Sequence, residues 1–162
     1  NKYVDITWAD SSLREYLNTE FYNSFSKKEK DRIIPVVNKN PDNPWFGTLG
    51  GRDTEDKVFI PSLEELACKY FGDSSALLYN PRKNQRYWYE RKDKNNSKRI
   101  AFDEDKNFWW YCIRTPGRFS VKAVYVFPDG NIGIHGNNIK KGNVADGFCA
   151  GGVRPLMWIS LE

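Results

Sequence analysis

The last third of the chain constrains the fold more strongly than any other stretch. Two blocks rich in strand-forming residues frame it, at 108–117 and 151–161, and each contains one arginine near a proline. Between them, apolar residues alternate along 121–127 and lead into the sequence Pro-Asp-Gly-Asn at 128–131. Alternation followed by such a turn sequence predicts a β-hairpin, with 132–135 as the returning strand. The C-terminal half is therefore predicted to form antiparallel strands.

Helix starts are concentrated in the first half of the chain. Three times a serine stands three residues before a glutamate, the pattern of a capping box. The pairs are Ser12 with Glu15, Ser26 with Glu29, and Ser62 with Glu65. Gly72 is the predicted C-cap of the third helix. The sequence thus predicts an α+β fold, with helices in the N-terminal half flanking a twisted, mainly antiparallel sheet from the C-terminal half. Residues 1–162 are predicted to form a single domain.

Shorter patterns fill the connections between these elements. Residues 33–37 and 58–60 are predicted strands, the first near a sheet edge because of its proline. Residues 40–51 form a long loop, of a kind that is usually functional or pinned by side chains. The chain is predicted to return to a loop over 137–148 and to end in a strand over 155–161. Polar side chains that could fasten the far end of the long loop are Asp53, Thr54 and Asp56.

Composition and charge narrow the class of protein. The chain has 162 residues, 40% of them hydrophobic and 15% aromatic, which suits a domain with a real core and much loop surface. No apolar run approaches the ~20 residues of a membrane span. Because the sequence starts at Asn1 without a methionine, we expect a mature or trimmed chain.

Positive charge is concentrated in one poorly patterned region, 73–106, which we predict to be an insertion. Within it, residues 82–99 hold eight basic side chains against two acidic ones, a net charge of +6. The whole chain carries +4, so the remainder carries −2. Basic and aromatic residues together could bind nucleic acid. Since only one segment is basic, we favour a solvated hairpin, and we regard nucleic acid as an unlikely partner.

The cysteines do not form a recognisable framework. Cys68, Cys112 and Cys149 are too few and too scattered for a set of disulfides or for a zinc site. A bridge between Cys112 and Cys149 is one alternative, and small buried thiols are the other.

A series of short blocks, in a shared order, resembles a large domain family of Gram-positive, mostly gut-dwelling bacteria. That family resembles a branch of the C-type-lectin-like fold, which formylglycine-generating enzymes also use. It is similar, too, to variable proteins diversified by retroelements. The blocks are Thr7-Trp8, Ser12-Leu13-Arg14, Phe21-Tyr22-Asn23, Asn43-Pro44, Gly50-Gly51, Asp53-Thr54, Asp56-Lys57-Val58-Phe59, Ser62-Leu63-Glu64-Glu65, Trp110, Ile113-Arg114-Thr115-Pro116-Gly117, Gly152-Val153-Arg154-Pro155, Trp158 and Leu161.

The resemblance implies a C-type-lectin-like fold with one difference at its start. Family members have one or two strands before the Thr7-Trp8 block, whereas this chain begins six residues ahead of it. The N-terminal strand is therefore expected to be missing, or to be supplied by a flanking domain or by a partner chain. Residues 80–100 have no counterpart in the family.

Arg114 and Arg154 each have two interpretations. A guanidinium group could bind a carboxylate ligand. Alternatively, each arginine could be buried and could join loop carbonyls, or Asp53 and Asp56, to the strands. The apolar residues around them favour the scaffold role.

Catalytic and metal-dependent functions have little support in the sequence. His135 is the single histidine, and no nucleophile stands beside it. The paired reactive cysteines of formylglycine-generating enzymes are not matched. The tripeptides with which C-type lectins bind calcium are absent, and residues 40–43 look similar but fall in the wrong half. Residues 103–105 are acidic and are predicted to be a solvated loop. We therefore predict no enzymatic activity, no metal and no cofactor.

The segments between the two framing blocks are the predicted ligand-binding region. They are polar and turn-tolerant, as expected of loops that a rigid scaffold displays, although an ordinary surface loop would look the same. Aromatic residues that could stack on a sugar are Trp45, Trp88 and Phe119, for which core packing is the alternative. The predicted ligand-binding residues are Arg118, Phe119, His135, Asn137, Asn138, Lys140, Asn143 and Asp146.

These inferences predict a non-catalytic recognition domain of an extracellular or cell-surface bacterial protein. It would bind a glycan or a protein through its C-terminal loops. One alternative is a structural module of a larger surface protein or assembly, without its own ligand site. Another is a degenerate relative of the formylglycine-generating enzymes.

Overall fold

Short helices and small antiparallel sheets make up the computed structural model of the chain, which describes residues 5–79, 93–139 and 151–161. The helical elements are the 3-10 turn Trp8–Asp10, α1 (Ser12–Tyr16), a π-helical turn Leu17–Phe21, α2 (Lys27–Lys30), a second π-helical turn Glu65–Lys69, α3 (Ser75–Leu78) and α4 (Asn96–Arg99). The strands are β1 (Ile33–Ile34), β2 (Val36–Asn38), β3 (Thr54–Asp56), β4 (Ala101–Phe102), β5 (Phe108–Trp109), β6 (Tyr111–Pro116), β7 (Lys122–Val126), β8 (Ile132–Asn138) and β9 (Trp158–Ile159).

The strands form four small sheets, paired as β1–β9, β2–β3, β4–β5 and β6–β7–β8. Pairing within each sheet is antiparallel. The predicted α+β class is therefore confirmed. The prediction of one sheet drawn from the C-terminal half is wrong for the described residues, because β1, β2 and β3 come from the first half.

Two of the three predicted capping boxes are present. The capping boxes at Ser26 and Ser62 are both present, with each serine and its glutamate exchanging two hydrogen bonds. In the first helix, however, the cap is Ser11, whose hydroxyl accepts a hydrogen bond from the Arg14 amide. The predicted cap at Ser12 is thus wrong by one residue. Gly72, after the third helical segment, has the positive φ of 90° typical of a C-cap.

The hairpin of β7 and β8 is the best-predicted part of the sheet structure. Gly130 adopts a φ of +82° in its turn, and a Cβ there would lie 1.9 Å from the carbonyl oxygen of Asn96. Only glycine fits this turn. β8 runs to Asn138, three residues beyond the predicted strand end, so the chain leaves the sheet later than the pattern indicated.

Strand predictions near the sheet edges hold only in part. Residues 33–37 divide at Pro35 into β1 and β2, since proline lacks the amide that a continuous ladder needs. Residues 58–60 are buried, but they form a single bridge, from Phe59 to Leu156, instead of a strand. The closing strand is shorter than predicted and covers Trp158–Ile159.

Two clusters of buried side chains form the core. The larger packs the helical region against the three-stranded sheet, and the smaller packs the first helix against residues 58–60. The larger includes Leu63, Leu66, Phe71, Leu78, Ile113, Val124, Val126, Ile132 and Ile134. The smaller consists of Trp8, Leu17, Val58, Phe59 and Ile60.

Arg114 is buried at the junction of these parts, as the scaffold interpretation predicts. Its guanidinium group forms a two-pronged ion pair with Glu65, with N–O distances of 2.6 and 2.7 Å. It also donates to the carbonyl oxygens of Ile60 and Lys39 and to Oδ1 of Asn40. All five guanidinium N–H groups are thereby satisfied. The ionic partner differs from the prediction, which named Asp53 and Asp56.

Asp56 is a second buried polar centre. Its carboxylate accepts hydrogen bonds from the side chains of Trp8, Arg14, Asn38 and Thr54 at 2.6–3.0 Å. Burial acts to raise the pKa of Asp56, but these hydrogen bonds outweigh it and hold the pKa below its usual range. Asp56 therefore fastens the first helix to the β2–β3 hairpin. Asp56 thus differs from its predicted role of fastening the far end of the long loop through backbone amides, because its partners are side chains outside residues 40–51.

Arg154 also has structural contacts. Its guanidinium donates to the carbonyl oxygen of Arg99 at 3.1 Å and to the hydroxyl oxygen of Tyr111 at 3.3 Å. The same group lies 4.6 Å from the centre of the Phe71 ring. These contacts agree with the predicted scaffold role.

The basic region does not form a wholly solvated hairpin. Arg99, at its end, is completely buried, pairs with Asp93 and donates to Asn96 and to the carbonyl of Gly130. The solvated prediction is wrong for Arg99 because these partners replace water around its guanidinium group. Lys94 and Lys98 are exposed, and residues 80–92 lie outside the described residues. Residues 103–105 form the predicted loop, between β4 and β5.

In the described part of the chain, no helix is long and apolar enough to cross a membrane.

Replacing Arg114 by methionine should lower the free energy of unfolding by about 3–5 kcal/mol, because Glu65 would stay buried without its cation. Glu65→Leu should have a similar effect. The double variant should lose less than the sum of the two single losses, since it buries no unpaired charge. Urea denaturation of the four proteins measures this coupling. Strictly additive losses would contradict it.

Asp56→Asn should lower the free energy of unfolding, and it should make that free energy less sensitive to low pH. A carboxyl with a lowered pKa in the folded state stabilises the protein above the unfolded value of ~3.9, and that contribution disappears as the pH falls through the folded pKa. The variant should lose about 2–3 kcal/mol at neutral pH and should show a shallower decline in acid. Thermal unfolding from pH 7 to pH 2 tests this. Asp53→Asn, at an exposed carboxylate, is the control and should change stability far less.

Candidate functional site

The turn from β6 to β7 displays two of the predicted ligand-binding residues, Arg118 and Phe119. The Gly117 amide donates to the Lys122 carbonyl at 2.7 Å, and the Lys122 amide donates to the Phe119 carbonyl at 2.9 Å. The Arg118 amide donates to the carbonyl of His135 in β8. The backbone itself therefore holds the turn in place, and both side chains are exposed.

Gly117 allows this turn to lie directly on β8. A Cβ at this position would be 2.5 Å from the carbonyl oxygen of His135 and 2.8 Å from Cα of Gly136. Since real Cβ atoms do not approach backbone so closely, any other residue at this position would push the turn away from β8. The close contact brings Arg118 and Phe119 next to His135.

The long loop completes the site from the other side. The Asn43 side chain donates to the carbonyl oxygen of Pro116 at 2.8 Å, and the Thr48 hydroxyl donates to the carbonyl oxygen of Arg118 at 3.0 Å. Asn43 also accepts hydrogen bonds from the amides of Trp45 and Phe46. These bonds fasten the loop to the end of β6 and place Phe46 beside His135.

Five side chains, Phe46, Arg118, Phe119, Lys122 and His135, form what we call the aromatic–cationic surface. The His135 ring lies edge-on to Phe46 at 5.8 Å and to Phe119 at 6.4 Å. The Arg118 guanidinium lies 5.9 Å from the centre of the Phe46 ring and 5.5 Å from that of Phe119. The Lys122 amine is 5.8 Å from Phe119. Phe119 is 53% exposed, so much of its ring remains open to a ligand.

The electrostatic character of this surface is cationic. Two of its five side chains, those of Arg118 and Lys122, are positively charged at neutral pH. The carboxylate of Asp5 lies near this surface and accepts a hydrogen bond from the Ser120 hydroxyl at 2.5 Å. Such a surface can bind an anionic group, or a ring that packs against its aromatic side chains.

Arg118, Phe119 and His135 are the predicted site residues that the structure brings together. Asn137 and Asn138 do not lie in a loop as predicted. They belong to β8, opposite Ala123 and Lys122, because the hairpin ladder extends past Gly136. The remaining predicted site residues, Lys140, Asn143 and Asp146, lie outside the described residues.

Phe46, Thr48 and Lys122 were missed by the sequence reasoning. The long loop itself was predicted to be functional or pinned, but Trp45 seemed its best aromatic candidate. Trp45 donates from its indole nitrogen to the Leu78 carbonyl at 2.7 Å. Both Trp45 and Phe46 pack against the larger core cluster, but it is Phe46 whose ring lies beside Arg118 and His135. Trp88, another candidate, lies outside the described residues.

A mainly apolar pocket lies between residues 6–13 and the β6–β7 pair. Ile6, Trp8, Ile60, Cys112 and Ile139 contribute to its lining. Burial raises the pKa of the Cys112 thiol to about 12, so this thiol stays protonated at neutral pH. Cys68 and Cys112 are free thiols, whereas Cys149 lies outside the described residues.

No group of three histidine, cysteine or acidic side chains is placed to hold a metal ion within residues 5–79, 93–139 and 151–161.

Fold and site together define an α+β domain with an aromatic–cationic surface where the β6–β7 turn meets β8 and the long loop. The chain belongs to the family described as a domain of unknown function, DUF6273, whose model matches residues 1–161. No curated protein and no solved structure is significantly similar to it.

Proposed function

We propose that this chain is a non-catalytic recognition domain that binds a glycan or protein ligand through its aromatic–cationic surface. The observation that carries the proposal is the position of Arg118 and Phe119, which are exposed on a turn that the backbone holds rigidly. Rigid scaffolds that display exposed loop residues are a common design of binding sites. An aromatic ring held in this way loses little conformational freedom when a ligand covers it.

The absence of an enzymatic role is part of the proposal. A catalytic cysteine needs a thiolate, which requires a lowered pKa. Cys112 has the opposite shift, towards about 12. This direction also argues against a degenerate formylglycine-generating enzyme that would use Cys112 as a reactive thiol.

We also propose a C-type-lectin-like fold and an extracellular or cell-surface location. The fold proposal is supported by the ordered sequence blocks of the resemblance and by the mixed α+β architecture. The location, in a bacterial surface protein, rests on the resemblance alone.

A glycan array followed by calorimetry tests the proposed site. The domain should bind at least one class of glycan, and Phe119→Ala should weaken that binding about fivefold, because stacking on an aromatic ring contributes ~1 kcal/mol. Phe108→Ala is a matched control, since Phe108 is 58% exposed on a different hairpin, and it should leave the affinity unchanged. Binding that survives Phe119→Ala unaltered would rule out this surface.

A structural module in a larger assembly is the second candidate function, favoured by the β1–β9 sheet. Two-stranded sheets are marginally stable alone, and their edges leave backbone groups unpaired. On this sheet Ile34, Trp158 and Ile159 are each 44–49% exposed, and Leu161 nearby is 93% exposed. A strand from a flanking domain or from another copy of the chain would cover these residues and complete the sheet.

Self-association through this sheet can be measured by analytical ultracentrifugation. If copies pair here, the sedimentation coefficient of the wild-type domain should rise with concentration, and Ile34→Lys should abolish the rise by placing a charge in the contact. Val37→Lys, at an exposed residue of β2, is the control for added charge. A wild-type domain that stays monomeric at every concentration would contradict pairing between copies.

A further inference from the structure

Arg118 differs from the other arginines that the structure describes. Each of the other six uses its guanidinium group in hydrogen bonds or ion pairs; these residues are Arg14, Arg32, Arg52, Arg99, Arg114 and Arg154. Within the described part of the chain, the Arg118 guanidinium forms no hydrogen bond or ion pair, and the rings within cation–π distance of it are those of Phe46 and Phe119. Its N–H donors are therefore available to a ligand.

The two rings lie within cation–π distance of this guanidinium group, at 5.9 Å for Phe46 and 5.5 Å for Phe119. A cation–π contact is made by the flat face of the guanidinium group or by its charge, whereas the N–H groups point outward in its plane. The group is thus partly ordered before any ligand arrives, which lowers the conformational cost of binding. A planar fork of donors pairs best with a planar anion, because a carboxylate accepts two parallel hydrogen bonds.

Phe119 sets the second requirement on the ligand. Its ring centre is 5.5 Å from the Arg118 guanidinium, and half of the side chain is exposed. A ligand that satisfies both residues needs an apolar face next to a carboxylate. The Lys122 amine, 5.8 Å from the centre of the Phe119 ring, adds to the preference for negative charge.

We infer that the aromatic–cationic surface binds an acidic carbohydrate, in which a uronate carboxylate pairs with Arg118 while the C–H face of its sugar ring packs on Phe119. In a uronate the carboxylate is attached directly to the ring, so both contacts come from one rigid unit. An acidic peptide would have to immobilise a flexible Asp or Glu side chain and a separate apolar side chain, at a higher entropic cost. This inference rests on the proposed function and specifies its ligand.

The test compares each acid with its uncharged ester. Calorimetry would use oligomers of galacturonate, glucuronate and mannuronate together with their methyl esters, which keep the ring and hydroxyl groups but remove the charge. For at least one sugar, wild-type protein should bind the acid about tenfold more tightly than the ester, as expected for a charge-assisted pair. Arg118→Gln should bring the two affinities within about twofold, and Arg118→Lys should retain part of the preference, because lysine keeps the charge but not the fork.

Phe119→Ala separates the two halves of the contact. It should weaken the binding of acid and ester by a similar factor, leaving the preference for the acid in place. Because both substituted residues are exposed, the variants should unfold at the wild-type temperature, which shows that a lost affinity is not a loss of fold.

The outcomes distinguish this inference from the proposed function. Equal binding of acid and ester overturns the inference but leaves recognition by the surface intact. Binding of a glutamate-rich peptide in preference to every uronate overturns the choice of carbohydrate. Failure of all uronates overturns the inference, and the proposed function is then judged separately by the neutral glycans of the array.

Discussion

The buried ion pair between Arg114 and Glu65 is the interaction on which the arrangement of this domain depends. Removing two charges from water is costly, and such a pair persists only where every remaining donor has a partner. Here the other partners come from residues 39–40 and residue 60, so one guanidinium group joins four separate stretches of chain. Glu65 is in turn held by the capping box of Ser62. Local helix-capping chemistry thus determines where the long-range pair forms.

The aromatic–cationic surface depends on this junction. Arg114 holds the start of the long loop at Asn40, and three residues later Asn43 holds the same loop to the end of β6. These two attachments hold the loop, and the Phe46 amide donates a hydrogen bond to Oδ1 of Asn43, three residues before it. The position of Phe46 beside Arg118 is therefore a consequence of buried polar bonds in the interior. Hydrogen bonds hold the loop and the turn in place at the surface, and the two apolar clusters form the core beneath them.

Local signals in the sequence predicted the elements more reliably than their partners. Two of three capping boxes and the turn at Gly130 follow from neighbouring residues, and they were predicted, whereas the division of residues 33–37 at Pro35 was not. The burial of Arg99 was not predictable, because Asp93 and the carbonyl of Gly130 contact its guanidinium group only in the folded chain. The length of β8, which continues through Asn137 and Asn138, also depends on contacts formed in the folded chain. The same holds for the place of Phe46 beside His135. The α+β class could be predicted, but Phe46 and Lys122, two of the five residues of the aromatic–cationic surface, could not.

The close contact of Gly117 with β8 has a consequence for how this domain could change over time. The turn at 118–121 is positioned by main-chain bonds and by a residue without a side chain. The identities of residues 118 and 119 contribute little to holding it. New side chains could therefore be exchanged at these two positions while the backbone stays where it is. Because the backbone of the turn does not depend on the side chains at 118 and 119, these positions suit sequence diversification and the engineering of new binding specificities.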